Sequence, residues 1–240
     1  MRIPVLGVGF DNVTMAEAVD RAIALMERRG AYAVTPNPEM ILLSRRDSGF
    51  ARALNEADLV LADGVGDLYA ARILGSPLKE RVPGADIFPH LLSHLARTGG
   101  SVFLYGAKPG VAEKAAANLL ADYPGLVIAG TEHGYLEDDA DLLHRIRQSR
   151  PDLLLVCLGA PRQELWMQAH KGLEEVGLMI GLGGCLDLMA GNVKRAPVSW
   201  QKYGLEWLYR LCREPSRITR MIKLPRILLL AWIARGKEGK

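Results

Sequence analysis

Asp152-Leu153-Leu154-Leu155-Val156-Cys157-Leu158, followed at once by Gly159-Ala160-Pro161-Arg162-Gln163-Glu164, decides the fold. Six apolar residues in succession, without polar alternation, describe a strand covered on both faces, as in a parallel sheet. Glycine and proline then stop it and turn the chain. Four further segments have the same character: Ala31 to Thr35, Asp58 to Ala62, Ser101 to Tyr105 and Leu178 to Leu182. Helical patterns lie between them, including Met15 to Arg29, Ile87 to Arg97, Val111 to Asp122 and Ala140 to Ser149. The first opens on Thr14-Met15-Ala16-Glu17, whose spacing allows Thr14 and Glu17 to satisfy each other's orphan amides. Repeated strand, loop and helix predict an α/β fold, a mostly parallel sheet flanked by helices with right-handed crossovers.

The bulk numbers agree. A chain of 240 residues, 49% hydrophobic and 24% charged, is neither disordered nor collagen-like, and is long enough to hold a core without disulfides. Its three cysteines, Cys157, Cys185 and Cys212, form no C-x-x-C pair, which points to a reducing cytoplasm. The amino terminus lacks a secretory h-region, and the apolar run Ile227 to Ala234 is far short of the roughly 20 residues a membrane span needs. Charge divides the chain unevenly. Residues 1–193 carry 18 basic against 24 acidic side chains, whereas residues 194–240 carry 12 against 3. An acidic core over 1–195 and a basic appendage over 196–240 follow, the latter read as two helices, Trp200 to Arg213 and Ser216 to Arg235, separated by Glu214-Pro215. Such a tail suits an anionic partner, and its Trp200, Tyr203, Trp207, Tyr209 and Trp232 suit a membrane interface.

Ligands of open α/β sheets bind beyond the carboxyl ends of the strands. The residues there are Thr35-Pro36-Asn37-Pro38-Glu39, Asp63-Gly64, Gly106-Ala107-Lys108-Pro109-Gly110, Gly159 to Glu164, and Gly183-Gly184-Cys185. Asp63 closes an apolar run, where partial desolvation would suit a general base; an equally good reading makes it the cap of the next helix. The glycine loops at 106–110 and 183–184 can bring backbone amides to a nucleotide diphosphate or simply make tight turns. Neither is a P-loop or a dinucleotide fingerprint, since Leu186 stands where the third glycine would be. A metal site is not expected. His90 and His94 lack the Glu of H-E-x-x-H, and Asp139-Ala140-Asp141 lies in an acidic helix start that complements the helix dipole. Arg210, Arg217 and Arg220 sit at spacings that can converge on a pyrophosphate where no metal does.

Six stretches in order resemble one family. They are Thr35 to Glu39, Ala62-Asp63-Gly64-Val65-Gly66, Glu80-Arg81-Val82-Pro83-Gly84-Ala85-Asp86, Gly159 to Glu164, Gly191-Asn192-Val193-Lys194-Arg195-Ala196-Pro197, and Gly204 to Leu211 through Glu214-Pro215, Arg217 and Arg220. This pattern resembles the WecG/TagA/CpsF glycosyltransferases. The resemblance implies a Rossmann-like core and an inverting transferase with no metal or cofactor. Such an enzyme moves N-acetylmannosamine, or a related sugar, from UDP to undecaprenyl-pyrophosphate-linked GlcNAc, for wall teichoic acid or surface polysaccharide. It further implies Asp63 as base, with Thr35, Asn37, Arg81 and Gln163 shaping the substrate pocket. Arg210, Arg217 and Arg220 would complete the site over the diphosphate. A cytoplasmic enzyme held peripherally on the inner membrane face is expected. Met221, after Arg220, departs from the aromatic of relatives, which bears on anchoring rather than chemistry.

Two rivals come from other classes. A nucleotide-binding oxidoreductase would need the absent fingerprint, and a nicotinamide binding test separates it. A non-enzymatic membrane or RNA adaptor would not need Asp63 or Gln163-Glu164 at strand ends, and the tail aromatics, at helical spacing, make no base-stacking platform for nucleic acid. An apolar tail surface can pack on a second copy of the chain as readily as on lipid.

Overall fold

A computed structural model describes residues 1–193, 196–197, 200, 208–209 and 223–238. The chain begins with a hairpin of β1 (Arg2–Val5) and β2 (Val8–Asp11), paired from Arg2↔Asp11 to Val5↔Val8. Its two-residue turn, Leu6-Gly7, has positive φ at both positions (50° and 98°), as the twist of a tight hairpin requires. Asp11 anchors the hairpin: its carboxylate is bonded by Arg2 (3.2 Å), Arg21 (3.0 Å) and the Val60 amide (3.0 Å).

Helix α1 (Met15–Arg28) carries the expected reciprocal cap, Glu17 N to Thr14 Oγ1 at 3.3 Å and Thr14 N to Glu17 Oε2 at 2.8 Å. Six parallel strands follow: β3 (Ala31–Val34), β4 (Leu59–Val60), β5 (Ser101–Gly106), β6 (Val127–Glu132), β7 (Leu153–Cys157) and β8 (Leu178–Gly181). Their spatial order is β4-β3-β8-β7-β5-β6. All five expected strands are among them. The sixth, β6, lies at the edge with no residue fully buried, and Gly130 is pressed against the Phe103 ring.

Side chains alternate between two cores. Ala31 and Ala33 face one, with α1, α5 (Gly84–Thr98), α6 (Val111–Asp122) and the short α9 (Cys185–Met189). Tyr32 and Val34 face the other, with the hairpin, α2 (Pro38–Ser44), α3 (Ser48–Asn55), α4 (Val65–Ile73), α7 (Ala140–Ser149) and α8 (Arg162–Ala169). The chain therefore leaves β3 toward one face and β8, its neighbour, toward the opposite face, which opens a crevice at their carboxyl ends.

The amino ends are closed instead. The Arg29 guanidinium donates to the carbonyls of Glu174 (2.8 Å), Arg150 and Pro151 (3.2 Å each) and Glu175, drawing the chain ends before β7 and β8 together.

Of the expected tail helices, Trp200 to Arg213 lies outside the described residues apart from Trp200, Leu208 and Tyr209, where the Trp200 and Tyr209 rings meet edge to face at 5.8 Å. The second is described as α10 (Lys223–Glu238). Ile227 and Ala231 are fully buried where α10 packs on α2 and α4, and Arg235 Nη1 donates to the Ile73 carbonyl at 3.0 Å. Leu229, Trp232 and Ile233 point outward, 57%, 70% and 43% exposed. No helix among the described residues is long and apolar enough to cross a membrane.

Candidate active site

Thr35 and Asn37 follow β3, Asp63 follows β4 and Gln163 follows β7, in the first turn of α8; β8 lies between β3 and β7. Thr35 Oγ1 donates to the Gly181 carbonyl at 3.3 Å, stitching the end of β3 to that of β8. Asn37 caps α2, its Oδ1 accepting from Glu39 N (3.0 Å) and Met40 N (3.2 Å). This fixes the carboxamide and leaves its NH2 group without a hydrogen bond among the described residues, ready to donate to a ligand.

Asp63 is half-buried, two residues before the first residue of the helix that it was equally expected to cap. The N-cap of α4 is Gly64, and the carboxylate that closes this turn belongs to Asp67, whose Oδ2 accepts from Gly64 N at 2.9 Å. The cap position is therefore Gly64 and not Asp63, whose own amide donates to the Pro36 carbonyl at 3.1 Å. Gly64 is required by contact: a Cβ there would lie 2.3 Å from Pro38 Cδ. Asp67 itself is fully buried, with Oδ1 lacking a partner among the described residues. Burial first, and the nearby Asp63 charge, push its carboxyl well above the usual range.

The loop before α5 brings Arg81 to the same edge, because Val82 N donates to the Ala62 carbonyl, next to Asp63, at 2.8 Å. Arg81 is half-buried and its guanidinium makes no hydrogen bond or ion pair among the described residues. Gly84 packs so closely that a Cβ would stand 2.4 Å from Leu182 and 3.3 Å from Thr35 Oγ1.

Gln163 behaves differently from the expectation of a pocket contact. It is 4% exposed, and its Oε1 accepts from Gly159 N (3.1 Å) and Gly183 N (3.0 Å) while Nε2 donates to Glu164 Oε1 (2.7 Å). Glu164 is fully buried; burial lifts its carboxyl to about 7, against the lowering effect of the Gln163 bond. Sequence reading passed over Asp67, and gave Glu164 no role apart from its motif, because an acid in the first turn of a helix ordinarily serves the dipole. The available signal was a capping pattern with Gly in place of Ser or Thr at the cap and Asp67 three positions on.

The glycine loops form tight turns. Gly106, at φ 132°, rests on the Cys157 carbonyl, which a Cβ would meet at 2.3 Å. Cys157 and Cys185 are buried and not joined in a disulfide; burial foremost raises Cys157 well above the ordinary thiol range, which disfavours its thiolate. His90 is exposed and His94 half-buried on α5. Among the described residues no group of three or more His, Cys, Asp or Glu side chains is placed to hold a metal ion. Asp139 of the D-x-D stretch instead accepts from Trp166 Nε1 at 2.7 Å and pairs with His170 at 3.6 Å. Arg210, Arg217 and Arg220 lie outside the described residues.

Comparison with known proteins follows the same lines. Residues 3–240 match the model of the glycosyl transferase WecG/TagA/CpsF family. A protein of Bacillus spizizenii (strain W23) is 36% identical over 202 residues, covering 84% of this chain and 79% of its own, and is named N-acetylglucosaminyldiphosphoundecaprenol N-acetyl-beta-D-mannosaminyltransferase. A Staphylococcus aureus (strain MW2) protein of the same name is 33% identical over 241 residues, 99% of this chain and 94% of its own.

Proposed function

The chain belongs to the WecG/TagA/CpsF family of glycosyltransferases, and from that membership we propose that it transfers N-acetylmannosamine from UDP to the GlcNAc of undecaprenyl-pyrophosphate-GlcNAc, with inversion and without a metal ion. The observation that carries the reading is the position of Asp63 at the carboxyl end of β4, in the crevice of a family member, directly before the Gly64–Asp67 cap of α4. An acceptor hydroxyl attacks the anomeric carbon from the face opposite UDP while Asp63 takes its proton. The new glycosidic bond forms as the bond to UDP breaks, and the electron pair leaves on the β-phosphate. Asn37, through its NH2, and Arg81, through its guanidinium, supply donors for substrate oxygens. Thr35 and Gln163 hold the strand ends that frame the pocket. Arg210, Arg217 and Arg220 receive the charge shed onto the diphosphate.

Residues 1–195 act as the transferase core and 196–240 as the appendage that meets an anionic membrane. The outward Leu229, Trp232 and Ile233 of α10 supply an apolar contact with that surface. The enzyme then works at the inner face of the cell membrane, in teichoic acid or surface polysaccharide synthesis.

A panel of UDP-sugars offered with a lipid-pyrophosphate-GlcNAc analogue tests the proposal, in EDTA and with Asp63→Asn alongside. UDP release with UDP-N-acetylmannosamine is expected to persist in EDTA and to fall by about 10²-fold or more in the variant. Failure of that donor, or undiminished turnover in the variant, overturns it.

A further inference from the structure

The Gln163 carboxamide is oriented by Glu164. Its oxygen faces two backbone donors, Gly159 N at 3.1 Å and Gly183 N at 3.0 Å, and its nitrogen faces one acceptor, Glu164 Oε1 at 2.7 Å. Reversed, the NH2 group would confront two N–H donors and the oxygen a carboxyl oxygen, so only one orientation satisfies all three contacts. Both glycines stand at positive φ, 77° and 51°, in the turns that leave β7 and β8. The space for the amide is cleared by a third glycine: a Cβ on Gly181 would sit 3.0 Å from Gln163 Nε2 and 2.7 Å from Met167 Cε. One side chain thus gathers two otherwise separate turns into a single wall of the crevice, beside the Thr35–Gly181 stitch.

Stability alone does not account for Glu164. Its second oxygen, Oε2, is buried with no partner among the described residues, a costly arrangement that an apolar side chain of similar size would avoid. We propose that Glu164 is a positioning residue for sugar transfer: it fixes the Gln163 amide, and through it sets the Gly159 and Gly183 turns in the geometry that the bound substrate requires. This rests on the transferase reading above. Glu164 touches no substrate itself; its effect passes entirely through Gln163.

The experiment compares wild type, Glu164→Gln, Glu164→Leu, Gln163→Met and the double variant Gln163→Met/Glu164→Leu. It reads kcat and KM for UDP-N-acetylmannosamine, thermal midpoint, and amide exchange at Gly159 and Gly183. Glu164→Leu is expected to lose at least tenfold in kcat while its midpoint stays at or above that of wild type. Glu164→Gln, which keeps an acceptor for the Gln163 NH2 group, is expected to recover most of that loss. The double variant should be no slower than Gln163→Met, since the two residues act as one. The two glycine amides should exchange at least tenfold faster in Glu164→Leu, a readout independent of turnover. Wild-type kcat in Glu164→Leu, multiplicative losses in the double variant, or unchanged glycine exchange would each overturn the assignment. A wild type inactive on this donor would instead strike the transferase reading and leave the exchange result to decide the role of Glu164. If Glu164→Leu does not fold, Gln163→Met opens the clasp from the other side and the same exchange measurement decides.

Discussion

Asp67 Oδ2 accepts the Gly64 amide at 2.9 Å, so the carboxylate that closes the first turn of α4 also fixes the peptide directly after Asp63. Asp67→Ala leaves Gly64 N without its acceptor. Turnover is expected to fall about tenfold, a modest share of what a misplaced reacting group costs. Stability should fall by about 1 kcal/mol, the usual worth of a cap. Asp67→Asn keeps an acceptor and should stay within a few-fold of wild type in steady-state assays. Wild-type turnover in Asp67→Ala would show that Asp63 is held by other contacts.

Glu164 carries a pH signature in stability. Its carboxyl sits at about 7 in the folded chain against 4.5 ordinarily, so the native state holds the proton more tightly than the unfolded state. Stability is complete below pH 4.5 and declines as pH rises through 7, by roughly 3 kcal/mol if this group acts alone. Asp67, shifted the same way, adds a loss of the same sign. Urea unfolding at pH 5 and pH 8 should show a smaller difference for Glu164→Gln than for wild type. An equal difference would mean that Glu164 ionises without penalty.

Arg29 holds the closed end of the sheet through four carbonyls and an ion pair to Asp152 at 3.5 Å. Arg29→Ala is expected to cost about 1–3 kcal/mol, because several partly buried carbonyls lose their donor at once. The crevice lies at the opposite ends of the same strands, so kcat measured well below the melting transition should stay near wild type. A matched loss of kcat would mean that the two ends are coupled.

Ile227 is fully buried where α10 crosses α2 and α4. Ile227→Ala is expected to lower stability by about 2–4 kcal/mol, as for other core truncations. Because α2 begins at the Asn37 cap and α4 at the Gly64 cap, loosening α10 should also raise KM for the donor. A change in stability below 1 kcal/mol would indicate that α10 does not hold this position in solution.

The legible part of the fold was its interior. Strands buried on both faces, such as Leu153 to Cys157, are apolar throughout, and their abrupt ends at glycine, proline and Asp63 marked the edge that holds the crevice. Edges were harder. β6 contains Gly130 because Phe103 occupies the space above it, and Thr131 and Glu132 cut its apolar run to Val127-Ile128-Ala129. The hairpin was hidden because its turn places Leu6, not Asn or Asp, at positive φ. Asp63, Thr35, Asn37, Arg81 and Gln163 were named from motifs, but which atoms each spends on the fold was not. That Gln163 gives its carboxamide to two glycines and Glu164 depends on three loops meeting in space, which no local pattern records.

The order β4-β3-β8-β7 has a bearing on biosynthesis. The last strand to be made is inserted between two made earlier, so until residue 181 leaves the ribosome β3 and β7 each present an unpaired apolar border. A nascent chain can therefore close its sheet only late, and interruption before that point leaves a fragment prone to aggregate. The strand that completes the sheet also delivers Gly181 and Gly183, so the sheet and the crevice at its carboxyl ends close together, ahead of the appendage that is made last.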